Sequence, residues 1–181
     1  MARKTILQTL KDLNNKSYIL ENAPFICENE KAAIWLLQHV FNKVQIPFVI
    51  AGKKPSKRLE QLAHLHQHTC IVANPSDKEM QDIIGKAHVH VLPSLNNTGI
   101  KLKLLNAMFN GRHCLVNKAG VEGSGLESFC HMAKDAETFR KQIEALYILP
   151  FTEQEAQQRQ GLLQTMYNNE TNARQLMTFL Q

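Results

Sequence analysis

The residues best able to do chemistry lie in one stretch, VLPSLNNTGIKLKLLNAMFNGRHCLVNKAGVEGSGL, from Val91 to Leu126. Its pattern is a strand, an Asn/Gly turn, a helix from about Gly99 to Asn110 stopped by Gly111, a strand, and a Gly-rich run from Ala119 to Gly125. The pattern predicts that the helix opens at Thr98-Gly99. The first N–H groups of a helix have no internal partner and its macrodipole is positive there. Gly99 lets a ligand approach the backbone closely. Lys101 and Lys103 would stand in the first two turns, where a cation opposes the dipole and a bound phosphate relieves the conflict. Thr98 to Lys103 thus reads as a diphosphate cradle. The competing reading makes the lysines solvated and Gly99 only a turn; the residues leave both open. No G-x-x-x-x-G-K-[ST] motif is present, and no G-x-G-x-x-G follows the first strand, so neither a P-loop ATPase nor an NAD fold is indicated.

Other reactive residues read more plainly. Cys27, Cys70, Cys114 and Cys130 form no C-x-x-C pair, and the last three sit in apolar contexts, as reduced thiols do. His64, His66 and His68 would diverge around a helix end and be solvated. His88 and His90 fall on one face of a strand and are expected to be packed and hydrogen-bonded. Trp35 is expected in the core. Lys53, Lys54, Lys57 and Arg58 read as a solvated helix start. No metal site, Ser-His-Asp set or Cys-His set is suggested by position.

The elements that must place these residues alternate. Strands are expected at 17–20, 47–51, 70–73, 88–92, 113–116 and 128–132. Helices are expected at 3–13, 29–42 with Asn29 as N-cap, 55–66 with Pro55 in the first turn, and 135–146. A further helix runs from the Ser76-Asp77-Lys78-Glu79 capping box to Lys86. Pro150 breaks the chain, and a box at Thr152 and Glu155 opens the last two helices. Apolar strands alternating with helices imply right-handed crossovers and a mainly parallel, doubly wound, Rossmann-like α/β sheet. The organisation expected is an N-terminal helix or linker (1–16), the α/β domain (17–150) and C-terminal helices (151–181). Ligands of such sheets lie beyond the carboxyl ends of the strands. That points to Gly52-Lys53-Lys54, Ala73-Asn74-Pro75, Pro93 to Lys103, and Lys118 to Gly125.

Composition sets the bounds. The chain has 181 residues, 44% hydrophobic and 20% charged, which excludes a disordered chain. No apolar run approaches the roughly 20 residues of a membrane helix, and the opening MARKTILQTLKDL lacks a signal-peptide core. A net charge of +5 permits an anionic partner, but the basic residues are scattered rather than striped as in nucleic-acid binders.

Several landmarks in order carry a resemblance. They are F-V-I-A-G (Phe48 to Gly52), D-x-x-M-x-x-x-I-x-x-A (Asp77 to Ala87), V-x-V-L-P-S (Val89 to Ser94), T-G-I-K-L-K-L-L-N-A-M-x-x-G (Thr98 to Gly111), E-N-E-K-A-A-x-W-L-L (Glu28 to Leu37) and V-E-G-S-G-L (Val121 to Leu126). Together they resemble the C-terminal, nucleotide-sugar-binding half of GT-B glycosyltransferases of the family 4 or "group 1" type. The resemblance implies transfer of a sugar from a nucleoside-diphosphate sugar to an acceptor hydroxyl, with retention and without a metal or other cofactor, in cell-surface polysaccharide or glycolipid synthesis. It implies a donor pocket made by Gly52, Lys53, Asn74, Thr98, Gly99, Ile100, Lys101, Asn106, Glu122 and Gly123, with Thr98 and Lys101 at the reacting centre. It implies an acceptor-binding N-terminal half, in cis or in trans, without which the chain is inactive. A homodimer would be another way to cover the terminal helices. A cytoplasmic place, at most peripheral at the inner membrane, is implied too. The family's paired glutamates fall at Thr98 and Asn106, so both carboxylates are missing. The family's usual Arg near the first strand is also not evident; Lys31 is a weak stand-in and Lys101 a better one. These losses favour the alternative of a non-catalytic sugar-nucleotide-binding or scaffold module. A flavodoxin-like or receiver-like domain fits less well, since no acidic pocket follows the first strand.

Overall fold

Short apolar runs bounded by Gly, Pro and Asn form strands, and the amphipathic runs between them form helices. The computed structural model describes residues 18–22 and 27–179. The expected helix at 3–13 and the 1–16 segment lie outside them. The strands are β1 (Tyr18–Asn22), β2 (Phe48–Gly52), β3 (Thr69–Ala73), β4 (Val89–Leu92), β5 (His113–Val116) and β6 (His131–Met132). They make one sheet in the order β3-β2-β1-β4-β5-β6, with every pairing parallel. This is the doubly wound order, as the alternation of elements leads one to expect. Chain direction across the sheet reverses between β1 and β4, where Tyr18 pairs with Val89 and Ile19 with His90.

Helices α1 (Cys27–His39), α2 (Lys57–His64), α3 (Asp77–Lys86), α4 (Leu102–Asn110), α5 (Lys118–Val121) and α6 (Ala136–Ile148) connect the strands and close the domain. β2, β4 and β5 are buried along their whole length, which requires helices on both faces. One core cluster joins Leu36, Phe41, Phe48, Ile50, Val89, Val91, Leu115, Phe139 and Ile143. Within it Phe41 and Phe48 stack at 3.8 Å, and Trp35 meets Phe139 edge-on at 5.7 Å. Burying each Phe side chain stabilises the fold by about 1.5–3 kcal/mol. A smaller cluster of Val49, Ala51, Val72, Ile83 and Ala87 lies under α3.

Local chemistry sets the ends of the helices. Ser76 and Glu79 cap α3 reciprocally, and Ser56 caps α2, so Pro55 lies just ahead of the helix rather than in its first turn. α1 starts at Cys27, so Asn29 is inside its first turn and not the cap. The main correction concerns α4, which opens at Leu102 with Lys101 as its N-cap, three residues later than Gly99. Gly99 instead turns the preceding loop, with φ +64. The Gly-rich run also contains α5, a short helix capped by Asn117.

His88 and His90 do not share a face. The Nε2 of His88, just ahead of β4, lies 2.9 Å from the Leu146 carbonyl at the end of α6, whereas His90 packs against Gly111 at the end of α4. His64 is exposed, but His66 and His68 are half-buried, rings 5.9 Å apart. Cys114 is buried and Cys70 and Cys130 are half-buried; none of the three is in a disulfide.

Residues 151–181 form a separate unit with helices α7 (Glu153–Met166) and α8 (Asn169–Thr178). Thr152 and Glu155 make the capping box of α7, and the Arg159 guanidinium stacks 4.8 Å above the Phe151 ring. No helix among the described residues is long and apolar enough to cross a membrane.

Candidate functional site

The loop from β4 to α4 is organised by side-chain amides. Asn117 leaves β5 beside the exit of β4. Its Oδ1 accepts the Ser94 N–H at 2.9 Å and its Nδ2 donates to the Ser94 carbonyl at 2.7 Å. The same Oδ1 accepts the Gly120 N–H at 3.1 Å and so caps α5. One side chain therefore continues the ladder between two strands past their ends. Ser94 Oγ donates to the Asn96 carbonyl at 2.9 Å. Asn96 Oδ1 then accepts from the Thr98 N–H at 3.0 Å, from Thr98 Oγ1 at 3.0 Å and from Lys101 Nζ at 2.9 Å.

Lys101 turns back over this loop. Its ammonium also donates to the carbonyls of Thr98 and Gly99, the latter at 3.1 Å. Three acceptors match the three protons of an ammonium. A phosphate reaching Lys101 would replace one of these oxygens. Thr98, Gly99 and Ile100 are exposed and Lys101 is half-buried, so the loop faces solvent rather than other polypeptide. Leu102, as the first helical residue, presents an N–H without an intrahelical partner beside them.

A cavity of about 550 Å³ opens beyond the carboxyl ends of β4, β5 and β6. Its walls include Asn97, Asn117, Lys118, Glu122, Lys134 and Thr138, with Met132 as an apolar patch. Lys118, Glu122 and Lys134 are all exposed to it. Two ammonium groups, one carboxylate and amide groups suit a ligand that carries both anionic oxygens and hydroxyls. At the start of α6 the Asp135 carboxylate accepts the Thr138 N–H at 2.8 Å, and these hydrogen bonds hold its pKa below the usual carboxylate value.

The expected site residues fall into groups. Thr98, Gly99, Ile100 and Lys101 form the loop itself, and Glu122 shares the cavity with Asn97, one residue upstream of that loop. Gly123 follows Glu122 at φ +75 with open space around it. Gly52, Lys53 and Asn74 gather separately at the ends of β2 and β3. There the Asn74 N–H donates to the Gly52 carbonyl at 2.8 Å and Asn74 Oδ1 accepts the Lys54 N–H at 2.9 Å. Asn106 lies half-buried on α4, its Oδ1 2.8 Å from Asn110 Nδ2. Sequence reasoning missed Asn117, Lys134 and Thr138. The exit of β6 would have drawn attention to Lys134, had β6 been placed next to β5. Among the described residues no cluster of His, Cys, Asp and Glu is arranged to hold a metal ion.

The family model for "Glycosyl transferases group 1" matches residues 20–148. The chain belongs to this family. The group 1 match spans β1 to α6 and thus every residue of the loop and the cavity. A Klebsiella pneumoniae protein described as an "uncharacterized 44.6 kDa protein in cps region" is 31% identical over 124 residues, 63% of this chain and 32% of its own length. Solved structures share the fold at low identity. AviGT4, a glycosyltransferase involved in avilamycin A biosynthesis, matches at TM-score 0.63 and 13% identity, over 91% of this chain and 51% of its own. The α,α-trehalose 6-phosphate synthase of Burkholderia multivorans matches at 0.60 and 9%, over 87% and 40%. The group 1 chain described here thus has the Rossmann-like fold of one half of a GT-B glycosyltransferase. It spans about a third of its curated relative and about half or less of these two solved structures.

Proposed function

We propose that this chain is the donor-binding half of a glycosyltransferase that uses a nucleoside-diphosphate sugar. The observation that carries the reading is the prearranged, exposed Thr98–Lys101 loop next to a cavity that holds Lys118, Lys134 and Glu122. In this reading the diphosphate meets the loop's N–H groups and the charges of Lys101 and Lys118. Glu122 and Asn97 accept and donate hydrogen bonds to sugar hydroxyls. An acceptor hydroxyl, brought by an N-terminal half, attacks the anomeric carbon, and the bond to the diphosphate breaks. Fixed positive charge at the leaving group supplies most of the rate, as preorganised dipoles do. Retention of configuration and inactivity of the chain alone go with this reading. A role in cell-surface polysaccharide synthesis is supported by the cps-region name of the Klebsiella relative. A place on the cytoplasmic side, at most peripheral to the inner membrane, also goes with this reading.

Calorimetric titration with UDP, GDP and their sugars tests the reading. Binding of one diphosphate, weakened about tenfold, or about 1.4 kcal/mol, by Lys101→Ala and by Lys118→Ala, is the expected result. Absence of binding to every nucleotide overturns it.

A second reading, a donor-like module without catalysis, is favoured by one observation. Thr98 and Asn106 stand where the resemblance places carboxylates, and the Thr98 hydroxyl is already engaged with Asn96. A transfer assay on the chain joined to an acceptor half separates the two. Turnover rules out the module, and donor binding without turnover supports it.

A further inference from the structure

We infer that Asn117 is a positioning residue for the diphosphate loop, acting through Ser94 and Asn96. The inference rests on the donor-binding reading above and goes beyond it, because it gives Asn117, which also lines the cavity, a role exerted through the loop rather than on the ligand. Asn117 makes three hydrogen bonds to backbone groups of two different segments, Ser94 N–H and C=O on one side and Gly120 N–H on the other. A capping residue needs only the last of these. The pair with Ser94 spans 23 residues and fixes where the β4 exit departs. Ser94 is buried, and the next links run outward from it to Asn96 and then to Thr98 and Lys101. The chain of bonds thus starts at the sheet and ends at the exposed loop. Gly120 brings the clasp close: a Cβ there would lie 3.0 Å from the Leu92 carbonyl and 3.2 Å from Asn117 Oδ1. The geometry is that of a loop held in its ligand-ready shape before the ligand arrives, which lowers the ordering cost of binding.

Asn117→Ala tests this without placing a new charge on the cavity wall that Asn117 also lines. It removes both bonds to Ser94 and the cap on Gly120. Asn96→Ala breaks the outer link and leaves the strands alone. Both variants are to be titrated with the nucleoside diphosphate that the wild type binds and with its monophosphate, well below their melting temperatures. Hydrogen exchange of residues 94–102 is measured on the ligand-free chain. The expected result is diphosphate affinity about tenfold lower in each variant, monophosphate affinity unchanged, and faster exchange confined to that loop. The double variant should lose little more than either single one, because the two act in series. Wild-type binding with unchanged variant affinity, or equal losses for mono- and diphosphate, overturns the positioning role and spares the donor reading. No wild-type binding to any nucleotide overturns both.

Discussion

Gly111→Ala is the substitution whose cost the structure defines best. Gly111 has φ −107, so any residue could adopt its backbone. The constraint is space. An added Cβ would lie 2.1 Å from His90 Nε2, 2.7 Å from His90 Cδ2 and 2.8 Å from the Ala107 carbonyl oxygen. The first contact falls about 1.4 Å short of the roughly 3.5 Å at which nonbonded atoms rest. His90 is fully buried on β4, so its ring cannot retreat without displacing neighbours. Overpacking by one methyl costs about 1–3 kcal/mol, and a clash this deep belongs at the upper end. At 2–4 °C per kcal/mol for a chain of this size, Tm should drop by about 6–12 °C. Urea unfolding followed by circular dichroism gives the free energy. Gly85→Ala is the control: its Cβ would sit in α3 with only the Asn110 carbonyl at 3.9 Å, and should gain about 0.5–1 kcal/mol. In a His90→Ala background the two shortest contacts vanish and the cost of Gly111→Ala should fall. A Gly111→Ala chain within about 0.5 kcal/mol of the wild type, or an undiminished cost in that background, would refute the packing argument.

Gly161→Ala, on α7 with open space at its Cβ, should stabilise the chain by about 0.5–1 kcal/mol, read as a higher urea midpoint. Burial, and then the charge of His68, holds the His66 pKa below 6.5. The folded chain therefore binds fewer protons there than the unfolded one. This contribution is whole above pH 6.5 and is lost as pH falls through and below it; an NMR titration should place the His66 midpoint below the free value. Hydrogen bonds from Thr138 and Ser76 lower the Asp135 and Glu79 carboxyl pKa values. Their stabilisation is present above the ordinary carboxylate range and disappears as pH drops through the lowered values. Asp135→Asn should accordingly flatten the acid limb of a Tm-against-pH curve. Burial pushes the Cys70 thiol pKa up, so alkylation at pH 8 should run slower than for a free cysteine.

The first five strand positions were legible because each apolar run is short and closed by a turn residue; the sixth, expected at 128–132, is only His131–Met132, behind a 3-10 turn at Glu127–Phe129. Ser76-x-x-Glu79 and Thr152-x-x-Glu155 were legible because a reciprocal cap needs only local spacing. The start of α4 was not. Thr98-Gly99 has the look of a helix start, but Asn96 Oδ1 gathers the Thr98 N–H and hydroxyl into a separate turn and delays the helix to Leu102. Such competition between side chain and backbone leaves no periodic trace. Asp135 and Thr138 form a box with a hydroxyl in place of Glu or Gln, which pattern reading passes over. Asn117 and Lys134 were hidden for a different reason. Their importance comes from which strands are neighbours, β4 with β5 and β5 with β6, and neighbourhood is a property of the finished sheet.

The central position of β1 has a consequence for assembly of the domain. The first strand of the described chain is flanked by β2 and β4, whose residues lie about thirty and seventy positions further along. β1, β2 and β3 can pair as soon as the first half has been synthesised, but one edge of β1 stays open until Val89 follows. Until then the exposed ladder is a target for other nascent chains. Yield on expression should thus depend on temperature and chaperone supply more than the stability of the finished sheet would indicate.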